Sequence, residues 1–204
     1  MSLKDALKKS GDKVKYERKL LWLDIETTGL EPSKGEILEI GFIVTDLELN
    51  EIDSIERLRK GRPLNKIKEM CDDYVLGMHS RNGLFNDLEA LKEPTSSSEL
   101  IDFVGKHFPS NAKKPELHGS TVHFDKKWVD YHIPELGRLF DYRVVDVSTL
   151  KIMLQNYAKV HAKSMEEIRK SEHPDIAHRA LDDIRCSIVE YKQYLKFLGL
   201  LGGI

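Results

Sequence analysis

Four acidic residues and one histidine have the types and the spacing needed to hydrolyse a phosphodiester bond. They are Asp24, Glu26, Asp125, His178 and Asp183. The first two directly follow the apolar run LLWL, which is typical of a buried strand. Because residues i and i+2 of a strand share one face, the carboxylates of Asp24 and Glu26 would emerge side by side. Two carboxylates so close repel each other unless a cation lies between them.

The expected cations are hard divalent ions, because the candidate ligands are carboxylate oxygens. Such ligands suit Mg²⁺ or Mn²⁺. Two of these ions about 3.5–4 Å apart can activate a water and stabilise the leaving 3′ oxygen. The residues therefore predict metal-dependent hydrolysis of a phosphodiester.

The order D-x-E, then D, then H-x-A-x-x-D resembles the DEDDh group of 3′-to-5′ exonucleases. The segments MCDDYVLGMHSRNGL, HFDKKW, PELGRLFDYRVVDVSTLK and HRALDDIRCSI are more specific and are similar to the oligoribonuclease family. The resemblance implies a ribonuclease H-like fold and the hydrolysis of very short oligoribonucleotides. It also implies that His178 is the general base and that two metal ions are held by Asp24, Glu26, Asp125 and Asp183.

The pattern of apolar residues predicts an α/β fold, a mixed β-sheet flanked by α-helices. Predicted strands cover residues 20–26, 37–46, 51–58, 115–118 and 142–147. Predicted helices cover residues 67–77, 96–108 and 148–158, with one helix carrying Asp125 and a last one carrying residues 181–195. Ser96 and Glu99 have the spacing of a capping box.

The spacing of His178 and Asp183 predicts that they lie in different backbone settings. Residues five apart in a helix point about 140° away from each other, so the two would not converge inside one helix. We expect His178 on a loop and Asp183 in the first turn of the helix that follows. Asp182 is the alternative to Asp183, and only the H-x-A-x-x-D match favours the latter. Asp182 is expected to be an N-terminal charge that complements the helix dipole.

A second group of residues, Arg143, Ser148 and Thr149, lies where a predicted strand leads into a helix. A Ser-Thr pair at a helix start is first of all a cap. Free N–H groups there and an arginine fork also favour a phosphate. In the oligoribonuclease family the matching residues, with a serine matching Thr121, bind the 5′ phosphate, which implies a preference for dinucleotides. Gly119, before Thr121, is expected to let the chain approach a ligand closely.

Three further residues match family positions that handle the bases: Leu30 matches a leucine wedge between the two bases, Tyr74 lies where an aromatic residue stacks, and His79 matches a histidine near the scissile end. Each has a simpler interpretation, with Leu30 in the core, Tyr74 on an amphipathic helix and His79 on the surface. Tyr74 replaces the family's usual tryptophan but keeps a face for stacking. Tyr142 matches a tyrosine that reaches into the partner's site, so the resemblance also implies a homodimer.

Composition favours a compact enzyme that handles short nucleic acids. The chain has 204 residues, with 32 basic and 34 acidic residues and a net charge of −2. That balance argues against binding long nucleic acids through many phosphate contacts. A charged extension, residues 1–18, precedes a predicted exonuclease domain, residues 19–204. The extension lacks the apolar core of a signal peptide, two cysteines are too few for a disulfide framework, and no apolar stretch is long enough to span a membrane, so we expect a cytoplasmic protein.

The leading hypothesis is a metal-dependent 3′-to-5′ exoribonuclease acting on short 5′-phosphorylated single-stranded RNA. The alternative is a DEDDh exonuclease acting on single-stranded DNA ends, which would not need Arg143, Ser148 and Thr149. A third class is a non-catalytic nucleic-acid-binding module. Loss of a metal ligand would indicate that class, and all the expected ligands are present.

Overall fold

The structure is a computed structural model that describes residues 18–92, 96–157 and 178–201. It contains a five-stranded mixed sheet in the order β3-β2-β1-β4-β5. The strands are β1 (Leu20–Thr27), β2 (Ile37–Thr45), β3 (Glu51–Leu58), β4 (Leu117–Gly119) and β5 (Val144–Asp146). Strand β1 is antiparallel to β2 and parallel to β4, and β4 is parallel to β5. The predicted α/β class and mixed sheet are confirmed.

Eight α-helices and one short 3-10 helix (Pro32–Lys34) accompany the sheet within the described ranges. The α-helices are α1 (Leu64–Lys68), α2 (Asp73–Arg81), α3 (Leu84–Ala90), α4 (Ser98–His107), α5 (Val122–His132), α6 (Pro134–Gly137), α7 (Val147–Tyr157) and α8 (Ala180–Phe197). None of them is long and apolar enough to cross a membrane. The predicted extension lies outside the described residues apart from Arg18, and so does Ala158, the predicted end of α7.

Two local predictions about helices are wrong. The expected single helix over residues 67–77 is divided into α1 and α2, because the Asp72 side chain caps α2 by accepting a hydrogen bond from the Val75 N–H at 2.8 Å. The capping box is also absent at the start of α4. Ser96 Oγ accepts from the Ser98 N–H, and Glu99 forms an ion pair with Arg57 on β3.

The alternation of side chains along β1 determines what each face of the sheet carries. Leu21 and Leu23 lie in the large core cluster with residues of α4, α5 and α6. Trp22 points the other way and packs with Ile184 and Ile188 of α8. Full burial of such side chains contributes roughly 1.5–3 kcal/mol each, which holds α8 over β1. Asp24 and Glu26 lie on the same face of β1 as Trp22, so their carboxylates point toward α8.

Candidate active site

The predicted acid cluster forms where β1 meets the first turn of α8. One carboxylate oxygen from each of Asp24, Glu26 and Asp183 lies within 4.8 Å of the other two. Asp24 and Glu26 come from the same face of β1, and Asp183 lies in the first turn of α8. Strand alternation and helix position together bring these three groups to one point, as the sequence predicts.

Burial and mutual repulsion disfavour the ionised forms of these carboxyl groups in the absence of a cation. Burial, then repulsion from Asp183, raises the pKa of Glu26 to about 9. The pKa of Asp24 also lies well above its usual value, because of burial first and of the Asp125 and Glu26 charges next. A site made of carboxylate oxygens whose charges oppose each other fits hard divalent cations.

Asp125 lies beside the cluster instead of among the three mutually close ligand atoms. It is buried on α5, and its Oδ1 accepts a hydrogen bond from the Ile25 N–H at 3.2 Å. Burial raises the pKa of Asp125 to about 8, against the effect of this hydrogen bond. The side chain is thus anchored to β1, and its charge acts on Asp24.

His178 lies outside α8, next to Arg179 at the N-cap of that helix, in the setting that the spacing predicts. Its Nδ1 lies 4.0 Å from Asp183 Oδ2, and 43% of its side chain is exposed. The neighbouring Asp182 is more exposed, and its carboxylate pairs with Arg185 on the outer surface. The geometry therefore places Asp183, and not Asp182, in the acid cluster.

The start of α8 is held by two residues that sequence reasoning missed. Glu39, fully buried on β2, accepts hydrogen bonds from the Arg179 guanidinium at 2.7–3.1 Å and from the Ala180 N–H at 2.9 Å. Arg179 also pairs with Asp87 on α3 at 2.8 Å. A single glutamate inside the apolar run ILEIGFIVT was the available signal, since a buried charge needs a partner.

A second polar cluster lies at the carboxyl ends of β4 and β5. The hydroxyls of Thr121 and Ser148 are 3.1 Å apart. Asp146 Oδ1 accepts hydrogen bonds from the Thr121 and Ser148 N–H groups, both at 2.9 Å. The helix cap of α7 is therefore Asp146, and the expected Ser148-Thr149 cap is wrong. An aspartate immediately before a helix is the signal that identifies it.

Arg143 and Tyr142 form an exposed pair next to this cluster. The Arg143 guanidinium carbon lies 4.4 Å from the centroid of the Tyr142 ring, and one of its nitrogens lies 3.6 Å from Asp141. The structure thus joins Thr121 to Ser148, while Arg143 contacts its own neighbours in sequence. The Thr149 residue is exposed in the first turn of α7.

The three residues expected to contact bases have different surroundings. Leu30 is 81% exposed and Tyr74 is 68% exposed, so the core interpretation of Leu30 is wrong. His79 is fully buried, with Nε2 at 3.3 Å from the Thr27 carbonyl oxygen and 3.8 Å from Glu26 Oε2. The surface interpretation of His79 is therefore wrong, and its expected place near the scissile end of the substrate stays a prediction. Burial lowers the pKa of His79.

Gly119 allows a close approach between two strands. A Cβ at Gly119 would lie 2.6 Å from the Leu23 carbonyl oxygen, so glycine lets β4 lie this close to β1. The expected close approach of a ligand to Gly119 stays a prediction.

The Exonuclease family model matches residues 21–191 of this chain. An oligoribonuclease of Bordetella pertussis is 34% identical over 184 residues, which are 89% of this chain and 96% of that protein. An oligoribonuclease of Haemophilus influenzae is 36% identical over 183 residues, or 87% and 93% of the two chains. This chain belongs to the oligoribonuclease family. As a member of this family of DEDDh exonucleases it is a nuclease that hydrolyses phosphodiester bonds.

Solved structures agree with the fold of the oligoribonuclease family. A zinc-bound complex of E. coli exonuclease I with single-stranded DNA has a TM-score of 0.63 at 16% identity, covering 90% of this chain. Exonuclease I from Methylocaldum szegediense has a TM-score of 0.57 at 17% identity, covering 87% of this chain. The chain spans 41% and 40% of those two proteins. This likeness shows the ribonuclease H-like exonuclease fold.

Proposed function

We propose that this chain is a metal-dependent 3′-to-5′ exoribonuclease that hydrolyses short 5′-phosphorylated oligoribonucleotides, dinucleotides above all, to mononucleotides. The observation that carries the proposal is the convergence of Asp24, Glu26 and Asp183 beside His178, in a chain of the oligoribonuclease family. Acids from a strand and a helix, with a histidine at their edge, are the groups that this reaction needs.

The proposed cofactors are two divalent metal ions, Mg²⁺ or Mn²⁺. Asp24, Glu26, Asp125 and Asp183 would hold them, and the ions would supply activation of a water and stabilisation of the leaving 3′ oxygen. The donor set supports this, because it offers only carboxylate oxygens, which are buried or half-buried and repel one another. Asp125 would complete the set from α5, since its charge already acts on Asp24.

His178 is the proposed general base. Its ring is partly exposed and lies at the edge of the acid cluster, where it can accept the proton of the attacking water. A residue with this role must reach solvent and the metal ligands together. His178 meets both requirements, whereas His79 is fully buried beneath Glu26.

The proposed grip on the 5′ phosphate consists of the Thr121 and Ser148 hydroxyls, Thr149 and the fork of Arg143. The Ser148 N–H already donates a hydrogen bond to Asp146. The proposed contacts of this grip with the phosphate are therefore the hydroxyls and the guanidinium more than that N–H group. A phosphate held there and a scissile bond held at the acid cluster would limit the number of nucleotides between them. The exposed side chains of Leu30 and Tyr74 are the proposed contacts for the bases.

The proposal also includes a homodimeric assembly and a cytoplasmic location. The Tyr142 side chain is 76% exposed, which supports a homodimer in which it reaches the partner's site. The chain has only two cysteines, Cys71 and Cys186, too few for a disulfide framework, which supports a reducing compartment such as the cytoplasm.

The experiment that tests the proposal is turnover of 5′-labelled RNA and DNA oligomers from two nucleotides upward, with Mg²⁺ and with Mn²⁺. We expect the highest kcat/KM for the 5′-phosphorylated RNA dinucleotide and a steep decrease with length. Equal turnover of DNA and RNA, independent of length, would replace the proposal with a general DEDDh exonuclease that acts on single-stranded DNA ends.

A further inference from the structure

A side chain outside the acid cluster binds the backbone at His178. Asn82 Nδ2 donates a hydrogen bond to the His178 carbonyl oxygen at 2.5 Å, across 96 residues of sequence. Asn82 lies at the junction of α2 and α3, where its Oδ1 accepts a hydrogen bond from the Leu84 N–H at 3.0 Å. The Asn82 side chain thus connects two segments: its oxygen binds the start of α3, and its nitrogen binds the backbone of His178.

The backbone at His178 requires such support. Its φ of 46° lies in the left-handed region, which residues other than glycine seldom adopt. A residue in that region persists when its surroundings determine its conformation. Asn82 fixes the carbonyl of His178, and Glu39 fixes the side chain of the next residue, Arg179. These two contacts hold the backbone at His178 and its next residue, while the imidazole stays partly exposed with Nδ1 at 4.0 Å from Asp183.

We infer that Asn82 is a positioning residue for His178: its hydrogen bond to the His178 carbonyl sets the direction in which the imidazole meets the acid cluster. The inference rests on the proposed function, in which His178 is the general base. Asn82 itself touches neither the substrate nor the reacting atoms in this account. Its loss would leave every catalytic group present but the base displaced, and a displacement of about 1 Å can reduce the rate by roughly 10²-fold.

The test is a double-mutant cycle of Asn82→Asp and His178→Ala. Asn82→Asp keeps the acceptor for the Leu84 N–H but replaces the donor with an oxygen that repels the His178 carbonyl. We expect kcat to fall roughly 10- to 10²-fold, with KM and the melting temperature near those of the parent protein. Because the effect acts through the histidine, we expect no further loss when Asn82→Asp is added to His178→Ala. Asn65→Asp, at an exposed position of α1, is the matched control and should have parent activity.

The cycle separates failure of the inference from failure of the proposed function. An RNA dinucleotide that is not hydrolysed by the parent, or an unchanged rate in His178→Ala, overturns the proposed function and the inference with it. If those two results are as expected, a parent-like kcat in Asn82→Asp, or an equal loss with and without His178, overturns the inference alone. Should Asn82→Asp not fold, Asn82→Ser enters the same cycle under the same criteria.

Discussion

The carboxylate of Glu39 forms a bidentate ion pair with the guanidinium of Arg179, with nitrogen–oxygen distances of 2.7–3.1 Å. Glu39 lies near the start of β2, and Arg179 comes immediately before α8. The pair therefore fixes the helix that supplies Asp183 against the sheet that supplies Asp24. Its removal should affect the stability of the whole site.

We expect Glu39→Gln to reduce the free energy of unfolding. Removing one partner of a buried pair costs roughly 3–5 kcal/mol, and we expect the lower end because Asp87 still binds Arg179. Urea unfolding of the parent and the variant measures the difference. Glu48→Gln changes an exposed glutamate in the same way and should remain within about 0.5 kcal/mol of the parent. Equal stability of Glu39→Gln and the parent would show that the pair does not hold α8.

The metal-free protein should become less stable as the pH rises. The pKa of Glu26 is raised from 4.5 to about 9 in the folded state, so the unfolded chain loses this proton at a lower pH than the folded chain. The free energy of unfolding therefore falls between about pH 4.5 and pH 9. Asp125, with a pKa raised to about 8, acts in the same direction.

Urea unfolding in excess chelator across this pH range measures the effect. Glu26→Gln should give a shallower pH dependence, because the variant lacks the titrating group. Mg²⁺ should stabilise the parent more at high pH than at low pH, because the ligands must be ionised to bind it. Stability that rises with pH in chelator would contradict the raised pKa values of these buried carboxyl groups.

Arg143→Ala should impair the 5′-phosphorylated RNA dinucleotide selectively. A hydrogen bond to a charged group contributes about 1.5–3 kcal/mol, so kcat/KM should fall at least about tenfold on the phosphorylated substrate and much less on the 5′-hydroxyl form. Arg138→Ala, which removes another exposed arginine outside the proposed grip, is the control. Equal losses on the two substrates would exclude a role of Arg143 in binding the 5′ phosphate.

The spacing of residues in the sequence is enough to predict those parts of the site that lie within one strand or at the start of one helix. Strand alternation places Asp24 and Glu26 on one face, and helix geometry separates His178 from Asp183. The structure confirms both arrangements. By contrast, the helix over residues 67–77 was predicted as one piece because its apolar periodicity continues across the break that the Asp72 cap introduces.

Contacts between distant segments could not be predicted from one sequence. His79 is buried because α2 packs over the end of β1, a contact that joins residues 52 apart. The Asp125 hydrogen bond to Ile25 joins residues 100 apart, and the contact between Asn82 and His178 joins residues 96 apart. Helical periodicity shows which residues share a face, but not which strand that face covers.

The metal-dependent chemistry is tested most directly by comparing Asp183→Asn with Asp182→Asn. The two substitutions are chemically identical and adjacent in the first turn of α8, but only Asp183 belongs to the acid cluster. The measurement is the rate of hydrolysis of a 5′-phosphorylated RNA dinucleotide, in Mg²⁺ and in excess chelator, with folding checked by circular dichroism. We expect nearly complete loss of activity in Asp183→Asn and for the parent in chelator, with a parent-like rate for Asp182→Asn in Mg²⁺. Near-parent turnover in folded Asp183→Asn, or in the chelated parent, would contradict it.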